Sequence, residues 1–393
     1  MDTMDNIYDY LKNYKITYDK IKEDLSYYMS NKLDIKNEYI YDEYIKQIIF
    51  EMYPEYNNGM ELNKKDYIDK NKETLKLLLS IPLVEQKSKE WYEYRLNRIT
   101  ASNLASIYNK GFKNRNSCLK DYVEKNLSFK PNVACTFGIK YEDVACQIYE
   151  KLNNVKINEF GCLPHPNYDY LAASPDGITD DGVMLEIKCP YSRPINGIPP
   201  IKYWYQMQLQ LEVCDLNECD YFECRITEYD NEEKYDSDNI IQLNNTESLD
   251  EYKSNWRESK YPKQKFKGIV IEVYDKSNKN TKYIYDFDSK LYYKEWIVNE
   301  YNNIEDIDNK LIKITYWKCE NYYISKIYRD KEWFKNNLII MKTFWDEVLY
   351  YRENKDKYEE YLNNKTKIKV KKNKKKCIIF ELEDKEQEQP NLN

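Results

Sequence analysis

The stretch that most constrains the fold of this chain is residues 174–188, where two turn sequences lie close to a short run with strand character. Pro175 fixes φ and Gly177 permits a positive φ, so Asp176 is expected on a tight turn rather than inside a helix. Residues 180–182, with the sequence Asp-Asp-Gly, are typical of a hairpin turn. The stretch therefore predicts a β-hairpin with Asp176 on the turn that precedes it.

The second arm of this hairpin is predicted at Met184–Lys188, where polar and apolar residues alternate. Side chains on a strand point to opposite faces in turn, so Glu186 and Lys188 are expected to share one face. Leu185 and Ile187 are then expected to point into the core.

Folding the hairpin brings Asp176 close to Glu186, and two like charges about 4 Å apart repel by about 4 kcal/mol at an effective dielectric constant near 20. A cation between them would remove this cost. Lys188 supplies one positive charge, whereas a divalent metal supplies two, and ligation by oxygen alone favours Mg²⁺ or Mn²⁺. The alternative is a solvated hairpin with an incidental salt bridge.

Four sequence blocks, in a fixed order, resemble the lambda exonuclease and YqaJ viral recombinase family of PD-(D/E)XK nucleases. They are residues 91–95 (WYEYR) with 99–102 (ITAS), 138–142 (GIKYE), 172–177 (AASPDG) with 185–190 (LEIKCP), and 203–208 (YWYQMQ). The likeness spans roughly residues 85 to 228, a typical length for one domain. It implies an α/β fold with a restriction-endonuclease-like core, in which helices flank a mixed sheet.

The resemblance also implies roles for individual residues of the metal site. Asp176, Glu186 and the carbonyl oxygen of Ile187 would hold the metal, and Glu142 would be a third acidic residue beside it. Lys188 would orient the attacking water and stabilise charge on the phosphate. The expected cofactor is Mg²⁺, with Mn²⁺ as a substitute.

Glu142 lies in a segment, Gly138 to Leu152, whose periodicity predicts a helix. On that helix Glu142 falls on an apolar stripe with Ile139 and Tyr149. A carboxylate on such a stripe needs a partner, and the spacing alone does not choose between a structural ion pair and a metal site.

Arg95 and Ser102 are candidates for phosphate binding, because a guanidinium fork and a hydroxyl can hold a phosphate together. They lie seven residues apart, which is two turns and one face if a single helix continues through both. The resemblance implies that they hold the 5′ end of the degraded strand.

The segment from Tyr203 to Val213 fits both a strand and a helix by pattern. The resemblance implies a helix on which Tyr203 and Gln206 approach the DNA and the reacting phosphate. Gln210 is interpreted as a surface residue of an amphipathic element.

His165 is the only histidine, which excludes a metal centre built on several histidines. An exposed loop position is expected for it. A second hypothesis, drawn from the resemblance, is that His165 helps to position metal or water.

Ten cysteines without a CxxC pair predict reduced thiols in an intracellular protein. Cys214, Cys219 and Cys224 recur at five-residue intervals, and some CRISPR-associated exonucleases of the same superfamily carry an iron–sulfur cluster. Cys118 or Cys135 would be the fourth ligand here. Scattered core thiols are the favoured interpretation, so no cluster is expected.

The formal net charge of −7 predicts local rather than general DNA binding, because duplex affinity comes largely from phosphate neutralisation. Eight lysines within residues 365–376 are consistent with a DNA tether, a nuclear address or a solvated tail. No apolar run reaches membrane-spanning length, and the first residues are too polar for a signal peptide. The expected location is the cytoplasm or a viral replication site, or the nucleus if the tail is an address.

The 393 residues predict several units. The expected division is a helical N-terminal extension (1–80), a nuclease core (81–228), a charged connection (229–262), an α+β C-terminal region (263–362) and a disordered lysine-rich tail (363–393).

These observations together predict a Mg²⁺-dependent deoxyribonuclease that trims duplex ends 5′→3′ for recombination or repair. One alternative is an endonuclease or single-strand nuclease, and another is an inactive DNA-binding scaffold. A single-strand annealing or helicase partner and a dimer or ring of identical chains are further expectations. No membrane partner is expected.

Overall fold

The computed structural model describes residues 64–82, 88–125, 131–244, 265–277, 280–305 and 309–364. Most of the predicted N-terminal extension, part of the predicted connection and nearly all of the lysine-rich tail lie outside the described residues. No helix in the described ranges is long and apolar enough to span a membrane.

Helices and strands alternate along the described chain, as expected for an α/β fold. The helices are α1 Lys64–Leu79, α2 Lys89–Leu96, α3 Ala101–Ile107, α4 Arg115–Val123, α5 Val133–Asn153, α6 Ile201–Cys214, α7 Glu232–Ser237, α8 Tyr293–Glu305 and α9 Lys331–Glu353. The strands are β1 Ile99–Thr100, β2 Ile157–Asn158, β3 Leu163–Pro164, β4 Leu171–Ala173, β5 Gly177–Thr179, β6 Met184–Lys188, β7 Glu218–Glu228, β8 Ile241–Gln242, β9 Phe266–Asp275, β10 Asn280–Tyr285 and β11 Asn309–Tyr328.

One mixed sheet, in the order β10-β9-β11-β7-β6-β5-β2, forms the centre of the molecule, and β8 pairs with β9 beside it. A small sheet, β1-β4-β3, lies apart from it. The predicted mixed α/β fold is confirmed. Strands on both sides of the predicted boundary at residues 228–263 belong to the same sheet, since the long β11 pairs with both β7 and β9.

The predicted hairpin is confirmed as β5 and β6, which pair antiparallel with Gly177 opposite Leu185. Gly182 closes the turn with φ +79°. β6 then pairs in parallel with β7, and Lys188 lies opposite Glu223. Parallel neighbours need a crossover connection, and α6 provides it, which settles the ambiguous segment at residues 203–213 as a helix.

The predicted helix at residues 138–152 is confirmed within α5, and its apolar stripe is right at Tyr149 but wrong at Ile139 and Glu142. Ile139 and Glu142 are exposed, and Lys140 is buried instead. The ammonium of Lys140 forms ion pairs with Glu228 at 2.9 Å and Glu272 at 2.7 Å. The stripe shifts because the long stem of Lys140 reaches the polar face of the sheet, which spacing within one helix does not show.

The single helix predicted through Arg95 and Ser102 is also wrong. α2 ends at Leu96, β1 follows, and Ser102 lies in the first turn of α3. β1 pairs in parallel with β4, so Ile99 lies opposite Leu171. Ile99 is fully buried in the small sheet. Its pairing with β4 requires an extended backbone, so a helix cannot continue from Arg95 to Ser102.

The C-terminal helix α9 braces this region from the outside. Arg352 donates to the carbonyl oxygens of Leu96 and Tyr122, each at 2.7 Å. Arg115 on α4 forms an ion pair with Glu347 at 2.6 Å. The end of α2 is therefore held by a residue more than 250 positions away in the chain.

Asp286, which follows β10, is a buried carboxyl whose ionisation affects the stability of the core. It is 2% exposed, its Oδ1 accepts a long hydrogen bond of 3.5 Å from the Ile269 N–H, and its Oδ2 accepts none. Burial raises the pKa of its carboxyl to about 6. The folded protein therefore loses stability as pH rises from the unfolded pKa, about 3.9, through about 6.

Asp286→Asn is expected to increase the free energy of unfolding at pH 7 by about 3 kcal/mol, because the amide need not ionise inside the core. The gain should shrink towards pH 4, where the wild-type carboxyl is protonated in the folded state and about half protonated in the unfolded state. Urea denaturation of both proteins between pH 4 and pH 8 measures it. A gain that does not change with pH would contradict the buried ionisation.

Candidate active site

Asp176 and the end of β6 are joined by short-range hydrogen bonds within the hairpin. Oδ2 of Asp176 accepts from the N–H of Ile187 at 2.7 Å and from the ammonium of Lys188 at 3.3 Å. The backbone bond orients the carboxylate towards the carboxyl end of β6. The hairpin alone therefore brings Asp176 to Lys188, as its turn sequences predict.

Three oxygen atoms converge on the ammonium of Lys188. They are Oδ2 of Asp176, the carbonyl oxygen of Ile187 at 2.7 Å and Oε1 of Glu186, which forms an ion pair with it. Burial lowers the pKa of Lys188, but the two carboxylates outweigh burial and hold the pKa well above its usual value. Three oxygen atoms of the protein thus surround one position that attracts a cation.

Glu186 is fully buried, and its two oxygens have different surroundings. Oε2 accepts hydrogen bonds from the side-chain amides of Gln206 and Gln210, each at 2.9 Å. Oε1 meets Lys188 as an ion pair but accepts no hydrogen bond. Burial and the charge of Asp176 raise the pKa of Glu186 to about 7.

This donor set fits a hard divalent cation. It contains two carboxylates and a backbone carbonyl, and one carboxylate oxygen is left without a hydrogen bond. Oxygen ligands of this kind suit Mg²⁺ and Mn²⁺ rather than softer metals. Within the described ranges, no three His, Cys, Asp or Glu side chains form a metal-binding group, so the fit rests on Asp176, Glu186 and the Ile187 carbonyl.

Glu142 lies on the side of α5 that faces this region. Burial raises the pKa of the Cys146 thiol, and Glu142, Asp143 and Asp176 raise it further. Glu142 and Asp176 are therefore both near that thiol. The role of Glu142 as a supporting acidic residue stays a prediction.

The interpretation of Gln210 as a surface residue is wrong. It is fully buried, and its amide donates both to Glu186 and to the carbonyl oxygen of Ser174 at 3.1 Å. Gln206 and Gln210 lie four residues apart, on one face of α6. That spacing points to a shared target once the segment is known to be a helix.

Arg95, Ser102 and Ser174 form a cluster of donors beside the hairpin. The guanidinium of Arg95 donates to Ser174 Oγ at 3.3 Å and to Ser102 Oγ at 3.1 Å. It also stacks on the ring of Trp91, 4.3 Å from the ring centroid. The structure thus brings Arg95 and Ser102 together without a continuous helix, and it adds Ser174, which the sequence did not single out as a phosphate contact.

Tyr203 lies beside Lys188, with its ring centroid 5.3 Å from the ammonium. Burial raises the pKa of its hydroxyl against the opposing effect of Lys188. The first turn of α6 therefore faces the same point as Glu186. A contact between Tyr203 and DNA stays a prediction.

His165 lies away from this point, and its expected exposed position is wrong. The side chain is buried, and its ring stacks on Phe334 of α9 with centroids 5.7 Å apart. Nδ1 accepts from the N–H of Asn167 at 3.0 Å, and burial lowers the pKa of the imidazole. His165 therefore packs under α9, and its part in positioning metal or water stays a hypothesis.

Cys214, Cys219 and Cys224 are all buried, and burial raises the pKa of each thiol. Cys214 lies on α6 and the other two on β7. Cys224 has hydrogen-bond partners in Cys189 and Cys319. The three thiols that recur in sequence therefore have different surroundings.

The chain is similar to several known proteins. Residues 90–217 match the model of the YqaJ-like viral recombinase domain. The uncharacterized protein R354 of Acanthamoeba polyphaga mimivirus is 31% identical over 350 residues, which cover 79% of this chain and 60% of that protein. The chain thus spans about three fifths of that relative's length.

Two solved structures share weak similarity with about two thirds of this chain. The alkaline exonuclease LHK-Exo from Laribacter hongkongensis has a TM-score of 0.39 and 18% identity, over 70% of this chain and all of that one. A phage related exonuclease from Haemophilus somnus 129PT has a TM-score of 0.35 and 11% identity, over 67% of this chain and 96% of that one.

The matched residues include every side chain of the site described above, from Arg95 on α2 to Gln210 on α6. Over residues 90–217 the chain is therefore similar to the YqaJ-like viral recombinase domain.

Proposed function

We propose that this protein is a metal-dependent DNA exonuclease that hydrolyses phosphodiester bonds 5′→3′ from duplex ends. The observation that carries the proposal is the arrangement of two unlike clusters on one short stretch. Asp176, Glu186 and the Ile187 carbonyl converge on a cation, and Ser174, two residues before Asp176, accepts from Arg95. A cation site for chemistry and a donor site for a terminal phosphate thus share one turn.

The metal would be held by Asp176, Glu186 and the Ile187 carbonyl, with Glu142 in support. A bound Mg²⁺ or Mn²⁺ supplies positive charge to phosphate oxygens and lowers the pKa of water. The protein's own contribution is to fix the carboxylates: two amides hold Glu186 from one side, and a backbone N–H holds Asp176. Preorganised groups need not rearrange as charge develops.

Lys188 supplies the remaining positive charge. Its side chain is partly exposed, at 22%, which leaves a path for solvent and substrate to approach it. A lysine beside the reacting phosphate can orient the attacking water and stabilise negative charge on the phosphate oxygens. Tyr203 limits where the ammonium can move, because its ring lies against it.

The direction of degradation would come from the cluster of Arg95, Ser102 and Ser174. Hydrogen bonds between a guanidinium and a phosphate are strong and directional. A terminal phosphate held there places the next phosphodiester bonds towards the hairpin. This placement favours cleavage from the end of the DNA over cleavage within it.

Loss of the cation site is expected to abolish cleavage. Asp176→Asn, Glu186→Gln and Lys188→Met should each lower kcat at least about 100-fold, the scale of losing one preorganised charge-stabilising group. End-labelled linear duplex with Mg²⁺, Mn²⁺ or EDTA measures cleavage, and binding of the same duplex in EDTA should persist. Lys326→Met is the matched control, since Lys326 is also a partly buried ion-paired lysine, with 24% of its side chain exposed.

Wild-type rates in Asp176→Asn would refute this site. Absence of cleavage by wild-type protein on every substrate, with DNA binding intact, would favour the scaffold alternative. Closed circular DNA cut as fast as linear duplex would favour the endonuclease alternative.

The buried amide of Gln210 is expected to matter for rate. Gln210→Met removes one of the two donors to Glu186 and should lower kcat by roughly tenfold, the effect of one lost hydrogen bond to a charged group. Gln208→Met is the control, because Gln208 lies on the same helix but donates to the carbonyl of Tyr328. Equal kcat values for the folded fractions of both variants would argue against a positioning role for Gln210.

A terminal phosphate should be preferred if Arg95 binds it. Wild-type protein is expected to degrade 5′-phosphorylated duplex faster than 5′-hydroxyl duplex, and Arg95→Ala should reduce that preference by roughly tenfold. Arg98→Ala is the neighbouring control, since Arg98 stacks on Tyr94 instead. An unchanged preference in Arg95→Ala would place the phosphate elsewhere.

A further inference from the structure

An exposed aromatic ring stands beside the candidate active site with no core contact to explain it. Phe112 is 71% exposed. The ammonium of Lys202 lies 3.7 Å from its ring centroid, and the ring of Tyr203 lies edge-on to it at 6.1 Å. Because Tyr203 also contacts Lys188, the ring of Phe112 is linked to Lys188 through the side chain of Tyr203.

The loop that carries Phe112 is held in a fixed shape. Asn109 has a left-handed φ of 58°, and its side chain accepts from the Arg115 N–H at 2.9 Å. A Cβ on Gly111 would lie 2.6 Å from the backbone nitrogen of Ser106, so only glycine allows this close approach. The loop is therefore packed onto α3 and displays Phe112 outward.

Lys202, the cation over this ring, lies near two other cations. Burial lowers the pKa of Lys202, and the positive charges of Arg193 and Lys188 lower it further. Arg193 is ion-paired with Glu223, and Lys188 with Asp176 and Glu186. In the part of the chain that the structure describes, Lys202 has no carboxylate partner, which is unusual on a chain with a net charge of −7.

A surface that combines an exposed aromatic ring with a lysine free of a carboxylate partner has the chemistry of single-stranded nucleic acid binding, in which bases stack on rings and phosphates meet lysines. A phosphate within reach of Lys202 would relieve its repulsion from Lys188 and Arg193. Stacking on Phe112 requires a base with a free face, and bases of a single strand offer this readily, whereas a base inside a duplex has both faces covered by stacked neighbours.

We propose that Phe112, Lys202 and Tyr203 form a nucleotide subsite next to the reacting phosphate, where Phe112 stacks on one unpaired base and Lys202 contacts its phosphate. The inference rests on the proposed function and deepens it, since it states that one nucleotide near the cleaved bond is bound without its complement. The subsite selects an unpaired base by stacking and is indifferent to its identity.

The test measures binding without cleavage, using a single-stranded oligonucleotide in EDTA. Phe112→Ala should weaken binding at least about fivefold, and Phe112→Trp should restore it, because stacking of a base on an aromatic ring is worth about 5- to 100-fold in affinity. Ile339→Ala is the matched control, since Ile339 is 69% exposed on α9. Lys202→Ala should make the slope of log K against log[salt] shallower by about 0.7.

The position of the stacked base is found with a series of oligonucleotides that each lack one base. One abasic position should weaken wild-type binding as much as Phe112→Ala does, and the same position should cost Phe112→Ala nothing further. Such non-additivity identifies the ring and that base as partners. Every other position should cost both proteins equally.

Equal binding by wild type and Phe112→Ala would overturn the subsite, as would additive losses at every abasic position or no binding of single strands by wild-type protein. These outcomes are separate from the proposed function. If wild type binds as expected but cleaves no DNA, the nuclease proposal fails and the subsite stands. If cleavage is intact and the abasic series shows no partner, only the subsite fails.

Discussion

The rest of the site depends on the contacts that stabilise the buried carboxylate of Glu186. A fully buried carboxylate is tolerated only when its charge is compensated and its oxygens are bonded. Lys188 supplies the charge, and Gln206 and Gln210 supply the bonds. A hydrogen bond to a charged group contributes about 1.5 to 3 kcal/mol, so the position of α6 against β6 is coupled to the chemistry of the site.

That coupling explains the topology around the site. β6 and β7 are parallel neighbours, and α6 is the connection between them. The helix therefore has to cross over the face of the sheet on which Glu186 lies. Two glutamines four residues apart on this helix reach one carboxylate oxygen, and Gln210 reaches the turn before Asp176 as well.

The parts of the chain outside the matched residues 90–217 complete the same structure rather than stand apart from it. β11 covers the outer edge of β7 along its whole length, from Glu218 to Glu228. α9 holds the end of α2 through Arg352, and α2 carries Arg95. The candidate phosphate cluster therefore relies on a helix that lies more than 100 residues beyond the last matched residue.

The sequence by itself determined what lies within one hairpin or one helix. Turn residues and strand alternation are local properties, and they were enough to bring Asp176 to Lys188. Only the tertiary structure decided what depends on long-range packing: it buried Gln210 and Lys140, broke the helix between Arg95 and Ser102, and still brought those two side chains together. Periodicity identifies which residues share a face, but burial depends on the surface that this face meets, and that surface comes from distant parts of the chain.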